Sequence, residues 1–386
     1  MRSRLNRFVI TILLILSLGY FYLGHQLIAP LDVRVSVREM LWIILAFPTA
    51  MILWLPLVRW VRDDETDSQW LRWMELGAFY SIGFLSFVLF FTAIRDLVLV
   101  PIAWVTDSNF PLYRGSISAA ILVSALFSFA MGYAIAHGKP TIKRVSLPIP
   151  NLPEDLEGLT IAQISDLHIG VSIKKPFIER IVAVLNSLDA DIVALTGDIG
   201  DGDPSLLRDA MEPLSRISAR LGRFYVTGNH EYYWGADHWI EEATQARFTP
   251  LLNSHRIIEK GKSKLLVAGV LDHWVSQVHP GAVSDPKIAL EGAPETDVRI
   301  LLAHQPKTAL AASVAGYDLQ LSGHTHGGQF VPWTWVIRLF QPFVRGLYRC
   351  GKMWVYVNQG TGFWGPPVRL GSSPEISLIQ LTRAAS

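Results

Sequence analysis

Two histidines one residue apart lie in a glycine-rich stretch, Gly323-His324-Thr325-His326-Gly327-Gly328-Gln329. The stretch follows the apolar run 319–321, a pattern that predicts a strand opening into a tight loop. Imidazole is a common neutral metal ligand near pH 7, and glycine permits backbone conformations that a Cβ would block. Such a pair is weak by itself. It indicates a metal site only if other parts of the chain supply further ligands.

Further polar side chains follow other apolar runs, at the positions where α/β folds place functional groups. The stretches are Ser165-Asp166-Leu167-His168, Thr196-Gly197-Asp198-Ile199-Gly200-Asp201, Thr227-Gly228-Asn229-His230-Glu231 and Ala303-His304-Gln305-Pro306. Carboxylates, imidazoles and an amide oxygen without thiolates suit Mn, Fe or Zn. The set is too large for one tetrahedral ion. It therefore predicts two divalent metal ions that share a carboxylate and a bridging hydroxide and clamp a phosphoryl group.

The five stretches, in this order, resemble those of the calcineurin-like metallophosphoesterase superfamily over about 159–381. The resemblance implies a two-sheet sandwich flanked by helices, and it implies a place for each ligand. The first metal would be held by Asp166, His168 and His326, the second by Asn229, His304 and His324, and Asp198 would bridge them.

Four further residues have expected roles near these ligands. The resemblance implies that His230 is catalytic and either stabilises the transition state or protonates the leaving oxygen. Asp201 is expected to orient a ligand, whereas Glu231 is interpreted as a helix-start or solvated carboxylate. Arg369 either pairs with a substrate phosphate or forms a structural ion pair, and both interpretations stay open.

Within the superfamily, 323–329 and the tail 358–371 are most similar to a bacterial membrane-associated branch. That branch includes proteins resembling UDP-2,3-diacylglucosamine pyrophosphatases. The resemblance implies hydrolysis of a phosphoester or pyrophosphate bond, of phosphodiester type, with a lipid-linked substrate as one interpretation. A membrane-anchored phosphatase or nucleotide phosphodiesterase acting on soluble substrates is the alternative. A non-catalytic metal-binding scaffold is disfavoured because the ligand set is complete.

The segment Phe330–Tyr348 follows the His-x-His loop and is rich in tryptophan, phenylalanine and leucine, with Arg338 and Arg345 among them. One interpretation is a core-packing excursion. The other is an apolar lip that enters the membrane interface beside the metals and favours a lipid substrate. Tyr232, Tyr233 and Trp234 are candidates for a pocket wall.

The ligands must be positioned by a domain that extends over 159–386. Short apolar runs alternate there with amphipathic stretches, which predicts an α/β domain with more than one sheet. Strands are predicted at 160–164, 191–195, 223–226, 264–270, 298–302, 318–321, 353–357 and 375–381, and helices at 176–188 and 204–217.

The amino-terminal part, 1–138, is predicted to be a membrane domain. It contains four long uncharged runs, at 8–30, 40–58, 76–94 and 115–136, and a bilayer core requires about 20 apolar residues in a helix. The first run follows three arginines and is interpreted as a signal anchor. The proline-rich segment 139–158 is interpreted as an extended linker.

Charge and cysteine content restrict the partners, the disulfide bonds and the membrane topology that can be expected. The formal net charge is +1, so no bulk charge argument favours a nucleic-acid partner. Cys350 is the only cysteine, which excludes an internal disulfide. Nine basic residues flank the four spans on one side, against four on the other. The positive-inside rule then places the catalytic domain in the cytoplasm, at the inner membrane of a bacterium.

Overall fold

The computed structural model describes residues 2–61, 69–106 and 115–384. The chain forms two compact units. We call the first the helical unit, which comprises Met1–Ala134 and Gly365–Val368, and the second the sheet unit, which comprises Ile135–Trp364 and Arg369–Ser386.

The helical unit is built from long apolar helices. Their bounds are α1 Arg2–Leu27, α2 Val35–Val61, α3 Gln69–Thr106 and α4 Gly115–His137. Within the described residues, three stretches are long and apolar enough to cross a bilayer, namely Val35–Leu55, Gln69–Thr106 and Ser116–His137. They cover most of the predicted spans 40–58, 76–94 and 115–136.

The first predicted span, 8–30, remains a prediction. It falls mainly on α1, whose apolar part within the described residues is Leu13–Leu27, shorter than the roughly 20 residues that a span requires. The side chains of 8–10 and 12 lie outside the described residues. The described part of the chain therefore supports three to four spans.

Helix α3 differs from its predicted span because it continues to Thr106 and so includes Arg95. Arg95 is buried, and its guanidinium donates to Gln26 Oε1 at 2.6 Å and to Asp96 Oδ1 at 2.8 Å. Arg95 is one of the four basic residues that the positive-inside count places in loops on the second side, whereas in the structure it lies inside a helix. Its partners neutralise a charge that would otherwise be costly to bury.

The sheet unit contains two six-stranded sheets. The first has the order β1-β12-β2-β3-β4-β5 and the second β10-β11-β9-β8-β7-β6. Strand bounds in the first sheet are β1 Thr141–Ile149, β2 Thr160–Ile164, β3 Ile192–Leu195, β4 Gly222–Tyr225, β5 Thr249–Pro250 and β12 Glu375–Arg383. In the second they are β6 Ser254–Lys260, β7 Ser263–Gly269, β8 Val298–Leu302, β9 Leu319–Ser322, β10 Gly346–Cys350 and β11 Met353–Val357.

One apolar core joins residues of both sheets, including Ile161, Phe224, Val267 and Leu321. The predicted two-sheet α/β architecture is confirmed.

Helices cover these sheets and complete the site loops. They are α5 Lys175–Asn186, α6 Pro204–Met211, α7 Asn229–Tyr233, α8 Ala236–Gln245, α9 Val275–Val278, α10 Ala309–Ala315 and α11 Trp333–Val336. Helix α5 buries Phe177, Ile178 and Ile181 on one face. The predicted helix 204–217 instead changes to a 3₁₀ turn over Glu212–Arg216, where Pro213 lacks the N–H that would continue an α-helix.

The predicted linker 139–158 was wrong in part, because it supplies a strand of the first sheet. Strand β1 pairs in parallel with β12 from Thr141↔Glu375 to Ile149↔Arg383, and Leu147 and Ile149 are buried. The extended conformation was predicted correctly. Proline is tolerated here since β1 is an edge strand, where an N–H can face away from the sheet.

Parallel pairing brings the site loops together. Strands β2, β3 and β4 are mutually parallel, with Ile164 opposite Leu195 and Leu195 opposite Tyr225. Strands β7, β8 and β9 are parallel in the other sheet. The loops that follow β2, β3, β4, β8 and β9 therefore leave each sheet at one edge.

Candidate metal centre

The loop backbones place several predicted ligands in an uncommon conformation. Asp166, His168, Asp198, His324 and His326 all have positive φ, between 49° and 71°. A side chain other than glycine in this region costs on the order of 1 kcal/mol and persists where the surrounding structure enforces it. Five such residues in one site indicate that the fold is organised around their side chains.

One cluster, which we call the first ligand group, consists of Asp166, His168 and His326. Its ligand atoms lie within 4.8 Å of one another. His168 Nε2 is 3.0 Å from His326 Nε2, and His326 Nε2 is 3.3 Å from Asp166 Oδ1. All three residues are buried. One carboxylate and two imidazoles converge on a space that a single cation could occupy.

A second cluster contains Asp198, His304 and His324, also within 4.8 Å. Asp198 Oδ2 lies 3.2 Å from His304 Nε2 and 3.8 Å from His168 Nε2. This carboxylate therefore reaches both clusters. We call Asn229, His304 and His324 the second ligand group and treat Asp198 as common to both.

One buried atom of the second ligand group, Asn229 Oδ1, has no hydrogen-bond partner. A buried acceptor without a partner costs about 1–3 kcal/mol. The Asn229 amide is oriented by its other atom, because Nδ2 donates to the Tyr233 hydroxyl at 3.1 Å. This unpaired amide oxygen, together with the His304 Nε2 that faces the Asp198 carboxylate, fits a divalent cation.

The histidines are held through their second ring nitrogens. His168 Nδ1 lies 3.1 Å from Asp201 Oδ2, and His304 Nδ1 lies 2.7 Å from the Thr196 carbonyl oxygen. Acceptors at Nδ1 favour the tautomer that leaves Nε2 free to bind a metal. Asp201 thus occupies the position expected of a ligand-orienting residue, and its Oδ1 also contacts His230 Nδ1.

The pKa shifts of the candidate ligands suit metal binding. Burial raises the pKa of Asp198, but His304 and His230 outweigh burial and hold the pKa well below its ordinary value. Burial lowers the pKa of His324 to about 3 and that of His326 well below its ordinary value. Burial also lowers the pKa of His304, but Asp198 more than reverses this and raises it well above the ordinary value. A cation bound there would take the place of that proton.

Glu231 differs from its interpretation as a solvated carboxylate. It is fully buried and accepts the backbone N–H groups of Asp198 at 3.0 Å and Ile199 at 2.6 Å, and that of Gly228. Burial raises its pKa to about 7. The helix-start interpretation is correct, since Gly228 precedes α7. Glu231 in addition ties the Asp198 loop to the Asn229 loop, which the sequence pattern did not indicate.

Arg369 lies behind the site instead of in it. Its side chain is completely buried and donates to the Gly362 carbonyl at 3.0 Å and to Gly360 at 3.2 Å. Its Nη2 is 3.2 Å from His326 Nδ1. The phosphate-binding interpretation does not agree with this burial. The contacts are structural, but their acceptors are mainly carbonyl oxygens and not the carboxylate that the predicted ion pair requires.

Aromatic rings surround His230. Of the three predicted wall residues, Tyr233 lies 5.0 Å from the His230 ring, Tyr232 is buried and Trp234 packs against the core. Trp364 is 5.7 Å from His230 and Trp274 is 4.9 Å from Tyr233, between ring centroids. Sequence reasoning missed these two tryptophans because they come from loops far apart in the chain.

The segment Phe330–Tyr348 lies largely on the surface. Leu339 is 81% exposed and Phe340 75%, and Trp333 and Trp335 are also exposed. We call these four residues the apolar lip. Phe330 and Val344 are buried, so the core-packing interpretation holds only for the ends of the segment.

Known proteins resemble this chain in sequence. Residues 159–328 match the family described as calcineurin-like phosphoesterases. An uncharacterized metallophosphoesterase of Campylobacter jejuni is 30% identical over 381 residues, which cover 97% of this chain and 98% of that protein. A transmembrane protein with metallophosphoesterase domain from Danio rerio is 37% identical over 280 residues, or 70% of this chain and 64% of that protein. The match thus spans less than two thirds of the animal relative.

Proposed function

This chain belongs to the calcineurin-like metallophosphoesterase family, and on that premise we propose that it hydrolyses phosphoester or pyrophosphate bonds, of phosphodiester type, with two divalent metal ions. The observation that carries the proposal is the position of Asp198, whose carboxylate lies within ligand reach of His304 and His168. One carboxylate between two ligand clusters is the arrangement that a two-metal hydrolase requires.

The proposed ligands of one ion are Asp166, His168 and His326, those of the other are Asn229, His304 and His324, and Asp198 bridges. The donor set of oxygen and imidazole nitrogen suits Mn, Fe or Zn. When bound, the ions would supply an activated water and positive charge for the phosphoryl oxygens.

His230 is proposed as the catalytic side chain that is not a ligand. Its Nδ1 is held by Asp201, and its Nε2 lies 3.9 Å from Asp198 Oδ2. The ring is therefore fixed with one nitrogen directed toward the ligand groups. A histidine in this position can donate a proton to a leaving oxygen or stabilise charge on a phosphoryl oxygen.

We further propose that the substrate is linked to a lipid. The apolar lip is continuous with the His-x-His loop, since a Cβ added to Gly328 would lie 2.4 Å from Thr334 Cα. Exposed tryptophan, leucine and phenylalanine flanked by arginine are typical of surfaces that bind the interface of anionic membranes. A substrate anchored in the bilayer would then reach the metals from the lip.

A hydrolysis screen of the full-length protein in one detergent with Mn²⁺ tests the function and the substrate class together. It would compare UDP-diacylglucosamine, phospholipids, nucleotides, cyclic nucleotides and bis-p-nitrophenyl phosphate. We expect bis-p-nitrophenyl phosphate to be cleaved and a lipid-linked ester to be preferred. No cleavage of any ester would contradict the hydrolase proposal, and preference for a nucleotide would favour the soluble-substrate alternative.

A substitution in the lip separates lipid binding from chemistry. Phe340→Asp should lower kcat/KM for the lipid-linked ester roughly 10- to 100-fold, given the ~1.5–3 kcal/mol of a buried phenylalanine side chain. Cleavage of bis-p-nitrophenyl phosphate should not change. Val314→Asp is the matched control, since Val314 is an exposed apolar residue of α10. Equal effects of the two substitutions on the lipid-linked ester would contradict the role of the lip.

We also propose that the sheet unit faces the cytoplasm at the inner membrane of a bacterium, as the distribution of basic residues favours. A cytoplasm-specific reporter fused after Ser386 should be active, and a periplasm-specific one inactive. A second fusion before Met1 reports whether the number of spans is even or odd. Activity of the periplasmic reporter after Ser386 would overturn this orientation.

A further inference from the structure

Three aromatic side chains on the His230 side of the site are only half-buried, although His230 itself is buried. Tyr233, Trp274 and Trp364 are each 40–45% exposed. Tyr233 and Trp364 both approach the His230 ring, and Trp274 meets Tyr233 edge-on at 89°. We call these three side chains the aromatic rim.

Contacts away from the exposed faces hold the rim in place. The Gln329 side chain holds the backbone of Trp364 on both sides, because Trp364 N donates to Oε1 at 2.9 Å and Nε2 donates to the Trp364 carbonyl at 3.0 Å. The Tyr233 hydroxyl accepts from Asn229, and Trp274 N donates to Asp272 Oδ1 at 2.7 Å. The rings are thus positioned without being buried.

Such a surface suits one kind of ligand. Exposed rings that project from a fixed backbone present large apolar faces for binding, and stacking of a planar ring on an aromatic side chain is worth ~1–3 kcal/mol. The rim itself contains no charged side chain. A cationic group would lie beside the two divalent ions that the site is proposed to hold, so a neutral ring is favoured over a quaternary ammonium group.

We infer that the aromatic rim is a binding subsite for a neutral planar ring carried by the organic group of the phosphoester. This inference rests on the proposed function, since the phosphoryl group is taken to lie at the ligand groups. It specifies the substrate further as a ring-bearing ester, with the ring at the His230 side of the site.

Non-hydrolysable phosphonates test the inference without depending on turnover. The full-length protein in detergent, loaded with Mn²⁺, is titrated calorimetrically with benzylphosphonate and with n-butylphosphonate, which carry the same charge. Benzylphosphonate should bind roughly 10-fold more tightly, as the stacking energy predicts. In Trp364→Ala the ratio should fall to about 2 or less, whereas Trp364→Phe, which keeps a ring, should retain most of it.

Two measurements show whether Trp364→Ala is folded, namely metal content by elemental analysis and the thermal unfolding midpoint. Trp274→Ala removes a second ring of the rim independently. Equal binding of the two phosphonates by the wild-type protein would overturn the inference. Tighter binding of 2-(trimethylammonio)ethylphosphonate than of benzylphosphonate would also overturn it, because the rim would then be a cation site. A ring preference without cleavage of bis-p-nitrophenyl phosphate would contradict the proposed function while leaving the subsite intact.

Discussion

The two ligand groups of the metal centre differ in the side chains that support them. In the first, Asp201 carries a negative charge next to His168 and Arg369 a positive charge next to His326. In the second, the supporting groups are neutral, namely the Thr196 carbonyl at His304 and the Tyr233 hydroxyl at Asn229. Apart from His324, which is partly buried, the members of both groups are buried, so the difference in charge is only weakly screened by solvent.

The charge of the supporting side chains determines how strongly each ligand group depends on its supporting contacts. Asp201 accepts at His168 Nδ1, which favours the tautomer that leaves Nε2 free to bind a metal. Arg369 can only donate to His326 Nδ1, so its charge disfavours the imidazolium form of His326. Charge-assisted contacts are about twice as strong as neutral ones. The first ligand group should therefore lose more than the second when one supporting contact is removed.

The largest effect is expected at the residue common to both groups. Asp198→Asn removes the charge that both ions would share, so kcat/KM for bis-p-nitrophenyl phosphate with Mn²⁺ should fall by at least about 10³-fold. Elemental analysis should show less than two metal ions per chain. Full retained activity would contradict the two-metal assignment and make the comparison of the two groups meaningless.

His230→Ala should lower turnover about 10²–10⁴-fold, the usual contribution of a general acid or base. Metal content should stay at the wild-type level, because His230 is proposed to act on the substrate and not on the ions. His230 also lies in a possible ligand cluster with His168 and Asp198. Loss of metal in this variant would show that His230 is a ligand.

Asp201→Asn removes the charged support of the first ligand group. Metal affinity should weaken about 10- to 100-fold, as is typical when a residue that orients a metal ligand is replaced. Calorimetric titration with Mn²⁺ measures this. Turnover should also fall, since Asp201 holds His230 as well; comparison with His230→Ala separates the two effects.

Tyr233→Phe removes the neutral support of the second ligand group and should have the smallest effect. A net hydrogen bond of ~0.5–1.5 kcal/mol corresponds to a loss of roughly 2- to 10-fold in metal affinity. The ring stays, so binding of benzylphosphonate should be preserved. If Tyr233→Phe weakened Mn²⁺ binding as much as Asp201→Asn, charge would not distinguish the two groups.

Sequence patterns predicted the interior of the fold better than its margins. All eight inner strands of the two sheets coincide with predicted strands, whereas the four edge strands β1, β5, β6 and β10 were not predicted. Inner strands are buried on both faces and appear as apolar runs. Edge strands carry polar residues and proline, as in Lys143 and Pro148 of β1, which protect an exposed edge and remove that signal.

The metal centre likewise contains features that the sequence predicted and features that it did not. The family resemblance of the five stretches supplied the candidate members of the ligand groups, and their residue types and positions at strand ends suit metal binding. The supporting contacts of Glu231 and Arg369 and the ring of Trp364 were not predictable in this way. A buried arginine that binds carbonyl oxygens and one that binds a phosphate have the same letter in the sequence.

The sequence by itself thus determined the family, the two kinds of unit and the candidate ligands, since these depend on composition and on local spacing. Only the tertiary structure decided that Glu231 ties the Asp198 loop to the Asn229 loop, that Arg369 is buried against carbonyl oxygens and that the aromatic rim lies on the His230 side of the site. Each of these depends on contacts between residues far apart in the chain. Their distances follow from strand order and register, which no local pattern specifies.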